Sequence, residues 1–125
     1  MNRFKNLEIW KRAVKLATKV YQITSDFPKE EKYGLVSQLR RCVVSIGSNI
    51  AGGAGRNTNK DFNRFLSIAY GSSYELETQL IIANNLKLLS DLESKNLCKE
   101  IDELQKMIYV FSKKLDNSGH TTQDS

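Results

Sequence analysis

Proline is almost missing from this chain: Pro28 is the only one in 125 residues. Glycine is scarce outside one segment, since four of the seven fall between Gly47 and Gly55. Most of the chain therefore lacks the punctuation that frequent turns need, which favours a few long helices. Histidine occurs once, as His120 near the C-terminus. A Ser-His-Asp or Cys-His arrangement, or a histidine metal site, has nothing to be built from, and no Glu-x-x-His pair of a di-metal bundle occurs. The two cysteines, Cys42 and Cys98, lie far apart in apolar surroundings with no C-x-x-C pair. With no secretory leader in MNRFKNLEIWKR, they read as reduced core thiols of a cytoplasmic protein. Long hydrophobic runs are missing too. The longest apolar-rich stretch, Leu76 to Leu86, is interrupted by Glu77, Gln79, Asn84 and Asn85, far short of the roughly 20 residues a spanning helix needs. No membrane segment, metal or cofactor is expected.

What is present is ordinary for a globular protein, with 40% hydrophobic and 26% charged residues in a chain long enough for one core. Leu7, Trp10, Val14, Ala17, Tyr21 and Thr24 recur every three or four residues, which predicts a first amphipathic helix with Lys5, Lys11, Arg12, Lys15 and Lys19 on its back. Pro28, followed by Glu30 and Glu31, suits the first turn of a second helix. Its apolar stripe is Leu35, Leu39, Cys42, Val43, Ile46 and Ile50, with Arg40 and Arg41 toward an edge. The run TNKD places a capping hydroxyl, Thr58, three residues before a carboxylate, so a third helix should start there. It carries Phe62, Phe65, Leu66, Ala69, Ser73, Leu76, Leu80, Ala83 and Leu88. Small residues at Gly71 to Ser73 suggest that another helix approaches closely. SDLE, Ser90 to Glu93, repeats the capping pattern ahead of Leu97, Ile101, Leu104, Ile108, Phe111 and Leu115.

Four such helices joined by short loops predict an all-α, antiparallel up-down-up-down four-helix bundle over residues 1–115. Residues 116–125, DNSGHTTQDS, contain nothing apolar and read as a disordered tail. Charge is uneven. Residues 1–60 hold twelve Lys or Arg against four Asp or Glu, net +8, and residues 61–125 hold seven against ten, net −3.

The glycine cluster SNIAGGAGRNTNK raises the question of a phosphate loop. Gly47 and Gly52 have Walker spacing, but Gly53 and Ala54 stand where Lys and a hydroxyl belong, and no strand precedes them. Thr58 replaces the third glycine of a dinucleotide fingerprint. The cluster reads instead as a turn ending the second helix, with Arg56 and Lys60 beside the N–H groups that open the third. Glu75 and Glu77 fall on different faces of one helix, so they make no carboxylate pair; Glu75 is expected to meet Arg40 or Arg41.

The segment QLRRCVVSIGSNIAGGAGRNTNKDFNRFLSIAYGSSYELETQL, Gln38 to Leu80, resembles the core signature of the four-helix-bundle family encoded in intervening sequences of bacterial 23S ribosomal RNA genes. FKNLEIWKRAVKLATKVY resembles that family's first helix, and the similarity extends to about Leu115. Its carriers are Arg40, Arg41, Ser45, Asn49, Ile50, Ala51, Gly53, Gly55 and Arg56, then Phe65, Leu66, Ala69, Gly71, Ser72, Glu75 and Leu76. Gly52 stands where the family usually has an acidic residue, so any pairing of that carboxylate with an arginine is lost here. The resemblance implies an up-down-up-down bundle, often a ring of five, with no known enzymatic activity. It also implies kinship with the accessory variability protein of diversity-generating retroelements, a basic pentamer that binds nucleic acid and a reverse transcriptase.

Charge and resemblance together lead to a non-enzymatic homo-oligomer, a pentamer by resemblance, that associates with RNA or DNA through phosphates. The nucleic-acid-binding residues expected are Lys11, Arg12, Lys15, Lys19, Arg40, Arg41, Arg56 and Lys60. An oligomer interface is expected at Tyr70, Gly71, Ser72 and Tyr74. The alternative is a protein-interaction scaffold for a partner such as a polymerase, with the basic residues serving solubility; a small-molecule enzyme comes third.

Overall fold

The structure, a computed structural model, describes the backbone of residues 3–124 and the side chains of residues 4–117. It contains four α-helices: α1 (Glu8–Thr24), α2 (Leu35–Ala54), α3 (Asn59–Asn85) and α4 (Asp91–Asp124). Two single turns of 3-10 helix, Arg3–Asn6 and Lys29–Glu31, precede α1 and α2. Short loops force chain neighbours to run antiparallel. α2 lies between α1 and α3, α4 packs on α3 and on α1, and the four close into a bundle.

The helix starts follow from local chemistry. Thr58 accepts a hydrogen bond from the Asp61 N–H at 3.1 Å. At α4, the Glu93 N–H donates to Ser90 Oγ and the Ser90 N–H donates to Glu93 Oε1, both at 3.0 Å. This reciprocal box satisfies N–H groups that a helix leaves unpaired at its first turn. α2 starts later than Pro28 suggests. Pro28 precedes the short turn Lys29–Glu31, and the helix begins at Leu35 after Gly34. α3 ends three residues before Leu88. The Lys87 N–H donates to the Asn84 carbonyl and the Leu88 N–H to the Ala83 carbonyl, each at 2.9 Å, which closes the helix as a Schellman turn with Lys87 at φ 61°.

Leu16, Leu39, Ile46, Ile50, Leu66, Leu76, Leu80, Leu97, Ile101, Leu104 and Ile108 are fully buried. Each contributes roughly 1.5–3 kcal/mol of transfer free energy. The stripes expected on α2 and α4 therefore face inward, and α1 is the exception. Its buried side chains are Ile9, Ala13, Leu16, Val20 and Thr24, whereas Val14 and Tyr21 are each 41% exposed. α1 carries two adjacent apolar stripes, and the one that looked regular in sequence borders an open groove with α2.

The glycines also take a different role from the turn expected. α2 continues through Gly52 and Gly53 to Ala54, no glycine among the described residues has positive φ, and Gly55 caps the helix in a right-handed conformation. A Cβ on Gly53 would lie 2.8 Å from both Phe62 Cδ1 and Phe65 Cβ. Gly53 is needed because α3 crosses α2 there at close range, so the turn proper falls after Gly55. The reverse holds at Gly71, where a Cβ would meet nothing within 4 Å; close approach in this part of α3 belongs to the buried Ser72 and Ser73.

Helical backbone continues past Leu115 to Asp124, and Asp116 accepts a hydrogen bond from Asn63 Nδ2 on α3. The side chains from Ser118 onward, His120 among them, and all of Ser125 lie outside the described residues.

Candidate nucleic-acid interface

The cations expected along α1 divide into two pairs. Arg12 and Lys19 sit on the side of α1 turned to α4, where Arg12 Nη2 lies 2.6 Å from Glu103 Oε1 and Lys19 Nζ lies 2.9 Å from Glu100 Oε2. Each of these cations is met by a partly exposed carboxylate of α4, whereas their neighbours on α1 are not. Lys11 and Lys15 remain exposed, Lys11 with only Glu8 at 3.6 Å.

Arg40 is also engaged. Its Nε donates to Thr24 Oγ1 at 3.0 Å, its Nη2 donates to the Tyr21 carbonyl at 3.2 Å, and its guanidinium lies over the Tyr21 ring at 4.5 Å. It completes the C-terminus of α1, where a cation and a donor are both favoured. Arg41 is exposed and borders a shallow groove with Gln38, Ser45, Glu75 and Gln79. Glu75 meets neither arginine in an ion pair. Its hydrogen-bonding neighbour is the thiol of Cys42, with Sγ 3.9 Å from Oε1. Burial, followed by the Glu75 charge, pushes the Cys42 thiol up to about 11, so Cys42 is a neutral core group.

The α2–α3 turn assembles three cations. Arg56 and Arg64 approach opposite oxygens of Asp61, at 4.0 and 3.7 Å, and both guanidinium groups lie over Phe65, at 5.4 and 5.1 Å from its centroid. Lys60 is exposed beside them. One carboxylate thus serves two guanidinium groups, with Lys60 exposed next to it in the chain, at the end of the bundle where the N–H groups of α3 begin. Arg64 is a residue that sequence reading missed, although it stands one turn beyond Lys60 on the outward side of α3.

The α3–α4 face holds the tyrosines. Tyr70 is half-buried and Tyr74 exposed. Their rings meet edge-on at 5.2 Å, with the hydroxyls 3.2 Å apart; this hydrogen bond raises the Tyr70 phenol above its ordinary range. Tyr109 of α4 joins them, 6.5 Å from Tyr70. Ser72 does not belong to this surface. It is turned toward α2 with its Oγ 3.0 Å from Ser45 Oγ and is buried within the bundle. Gly71 is exposed.

A basic stripe lies on α4, in the half of the chain that carries net negative charge. Lys95, Lys99, Lys106 and Lys113 are all exposed and fall on one side of the helix, opposite Leu97, Ile101, Leu104 and Ile108. Several carboxylates of this half are drawn elsewhere, Glu100 and Glu103 to α1 and Glu77 to the buried Gln105, whose Nε2 donates at 3.2 Å, while Asp102 stays on the stripe and pairs with Lys106 at 3.0 Å. The four- and seven-residue spacing of the lysines is the signal that reveals the stripe; net charge per half conceals it.

A family model described as 23S rRNA-intervening sequence protein matches residues 5–110. The chain belongs to that family. Among solved structures, it is similar to a protein of unknown function from the S23 ribosomal protein family of Bacteroides thetaiotaomicron VPI-5482, with 18% identity and a TM-score of 0.76 over 84% of this chain and 98% of that one. At that identity the likeness concerns the fold. No curated protein matches the sequence. Among the described residues, no helix of this family member is long and apolar enough to cross a membrane.

Proposed function

We propose that this family member is a non-enzymatic, cytoplasmic bundle protein that associates with RNA or DNA through the phosphate backbone. The observation that carries the reading is the pair Arg56 and Arg64 on a single carboxylate, Asp61, with Lys60 exposed next to it in the chain. Clustered cations gain affinity by releasing counterions from phosphate, without reading bases. The net charge of +5 and the exposed Lys11, Lys15 and Arg41 extend the attraction across the surface. Membership of a family named for an intervening sequence of 23S rRNA supports the same reading.

The test is a salt series of binding to labelled RNA and DNA by wild type and by a Lys60→Gln, Arg64→Gln variant. The log-log salt slope should fall by roughly one for each phosphate contact removed. Absence of binding by wild type at low salt overturns the reading.

A second reading, a protein-interaction scaffold, is favoured by the α1–α2 groove. Trp10, Val14 and Tyr21 of α1 and Val44 of α2 line it, over a floor of Ala17, Gly47 and Ala51. Exposed apolar ground of this kind marks contact with another chain, and the first candidate is a second copy in a homo-oligomer. Light scattering distinguishes the cases: a species heavier than 14.2 kDa supports self-association, and Val44→Glu should dissociate it if the groove is the interface.

A further inference from the structure

We propose that the nucleic acid is single-stranded and that its bases stack on Tyr74 and Tyr109 while its phosphates follow Lys99, Lys106 and Lys113 along α4. This rests on the nucleic-acid reading above and adds the strand state and a second surface. Tyr74 and Tyr109 are 48% and 53% exposed, far more than aromatic side chains that serve a core. They border, with Tyr70, Asp102, Gln105, Lys106 and Val110, a hollow of about 520 Å³ between α3 and α4. Tyr70 sets Tyr74 by an edge-on ring contact and a hydroxyl pair, so one side of the hollow is held in place.

The cations stand where a strand stacked on those rings would carry its backbone. Lys113 Nζ lies over one face of the Tyr109 ring, 5.4 Å from its centroid, and a base stacked there would displace the ammonium toward the phosphates. Lys106 borders the hollow itself and is paired only with exposed Asp102, at 3.0 Å, a contact of the kind that contributes little. From Lys95 to Lys113 the stripe runs about 27 Å along the helix at 1.5 Å per residue, enough for several nucleotides. Aromatic platforms beside a basic track are the arrangement that retains unpaired bases without regard to sequence. A duplex offers phosphates but keeps its base faces stacked on one another.

The experiment compares a short labelled oligonucleotide, as RNA and as DNA, alone and annealed to its complement, by fluorescence anisotropy. The proteins are wild type, a Tyr74→Leu, Tyr109→Leu variant that keeps apolar bulk but removes the rings, and a Lys99→Gln, Lys106→Gln, Lys113→Gln variant. Wild type should prefer the single strand. The tyrosine variant should lose at least about fivefold in single-strand affinity with duplex binding unchanged, and the lysine variant should weaken both. Should the tyrosine variant fail to fold, photo-crosslinking of wild type to a bromouracil-substituted strand decides, with adducts expected at Tyr74 or Tyr109. Equal wild-type affinity for both forms with no effect of the tyrosine changes, or crosslinks confined to other helices, overturns this inference and leaves the nucleic-acid reading standing. No binding of either form overturns both. A fall in molecular mass of the tyrosine variant assigns the patch to contact between copies and overturns the inference.

Discussion

Arg12 Nη2 lies 2.6 Å from Glu103 Oε1, and two turns further along α1 Lys19 Nζ lies 2.9 Å from Glu100 Oε2. The two pairs tie the first helix to the last. Each is partly exposed, so each is worth about 0.2–1 kcal/mol. Arg12→Gln with Lys19→Gln should lower stability in urea by no more than the sum of the two, and leave the salt slope of nucleic-acid binding unchanged. A loss of a full slope unit per residue would return these side chains to the interface.

Gly53 and Gly71 should respond in opposite directions to the same change. Gly53→Ala places a methyl group 2.8 Å from Phe65 Cβ, beside the helix backbone, where little can give; a destabilisation of about 1–3 kcal/mol is expected. Gly71→Ala enters open space within a helix and should stabilise by roughly 0.5–1 kcal/mol. Thermal or urea unfolding of the two variants checks both signs. If Gly71→Ala instead lowers the molecular mass, Gly71 lies between copies.

Lys87 occupies the left-handed position that closes α3, with φ 61°. A side chain there costs about 1–2 kcal/mol that glycine avoids. Lys87→Gly should therefore raise the urea midpoint, with the gain reduced by the extra freedom of glycine in the unfolded chain. A lowered midpoint would mean that the lysine side chain has a stabilising role of its own.

The two thiols should differ in reactivity. Burial, then Glu75, pushes Cys42 from 9.0 to about 11, and Cys98 is raised chiefly by burial with the Ser94 hydrogen bond opposing. At pH 8, iodoacetamide should modify the half-buried Cys98 before Cys42, as read by peptide mass spectrometry. Because the folded state favours the neutral thiol, the stability Cys42 contributes is complete below pH 9.0 and is lost as pH rises through about 11. Cys42→Ala should flatten the fall in urea midpoint over that window.

Much of the fold was legible because its determinants are local. Thr58 and Ser90 each find their hydrogen-bond partners within three residues, so the capping pattern alone marks where α3 and α4 begin. The stripe from Leu97 to Ile108 is buried as its spacing requires, since a long helix with one apolar side has one way to face a core. The four-helix, antiparallel arrangement then follows from loops too short for any other connection. Family membership was legible in the same region, from Gln38 to Leu80, within the span that the family model matches.

The tertiary structure decided what faces what. Trp10, Val14 and Tyr21 form as regular a stripe as Ile9, Ala13, Leu16 and Val20, and only packing against α2 and α4 buried the second set. An apolar arc wider than one helix stripe leaves its orientation undetermined by period alone. Gly53 looked like part of a turn until α3 crossed it. Whether a basic side chain meets water or a carboxylate was decided by partners 91 positions away for Arg12 and 81 for Lys19. The same distant pairings withdraw Glu100 and Glu103 from α4 and leave its lysines outward beside Tyr74 and Tyr109, with Asp102 among them. A composition count sums these charges but carries no record of which ones the folded chain brings together.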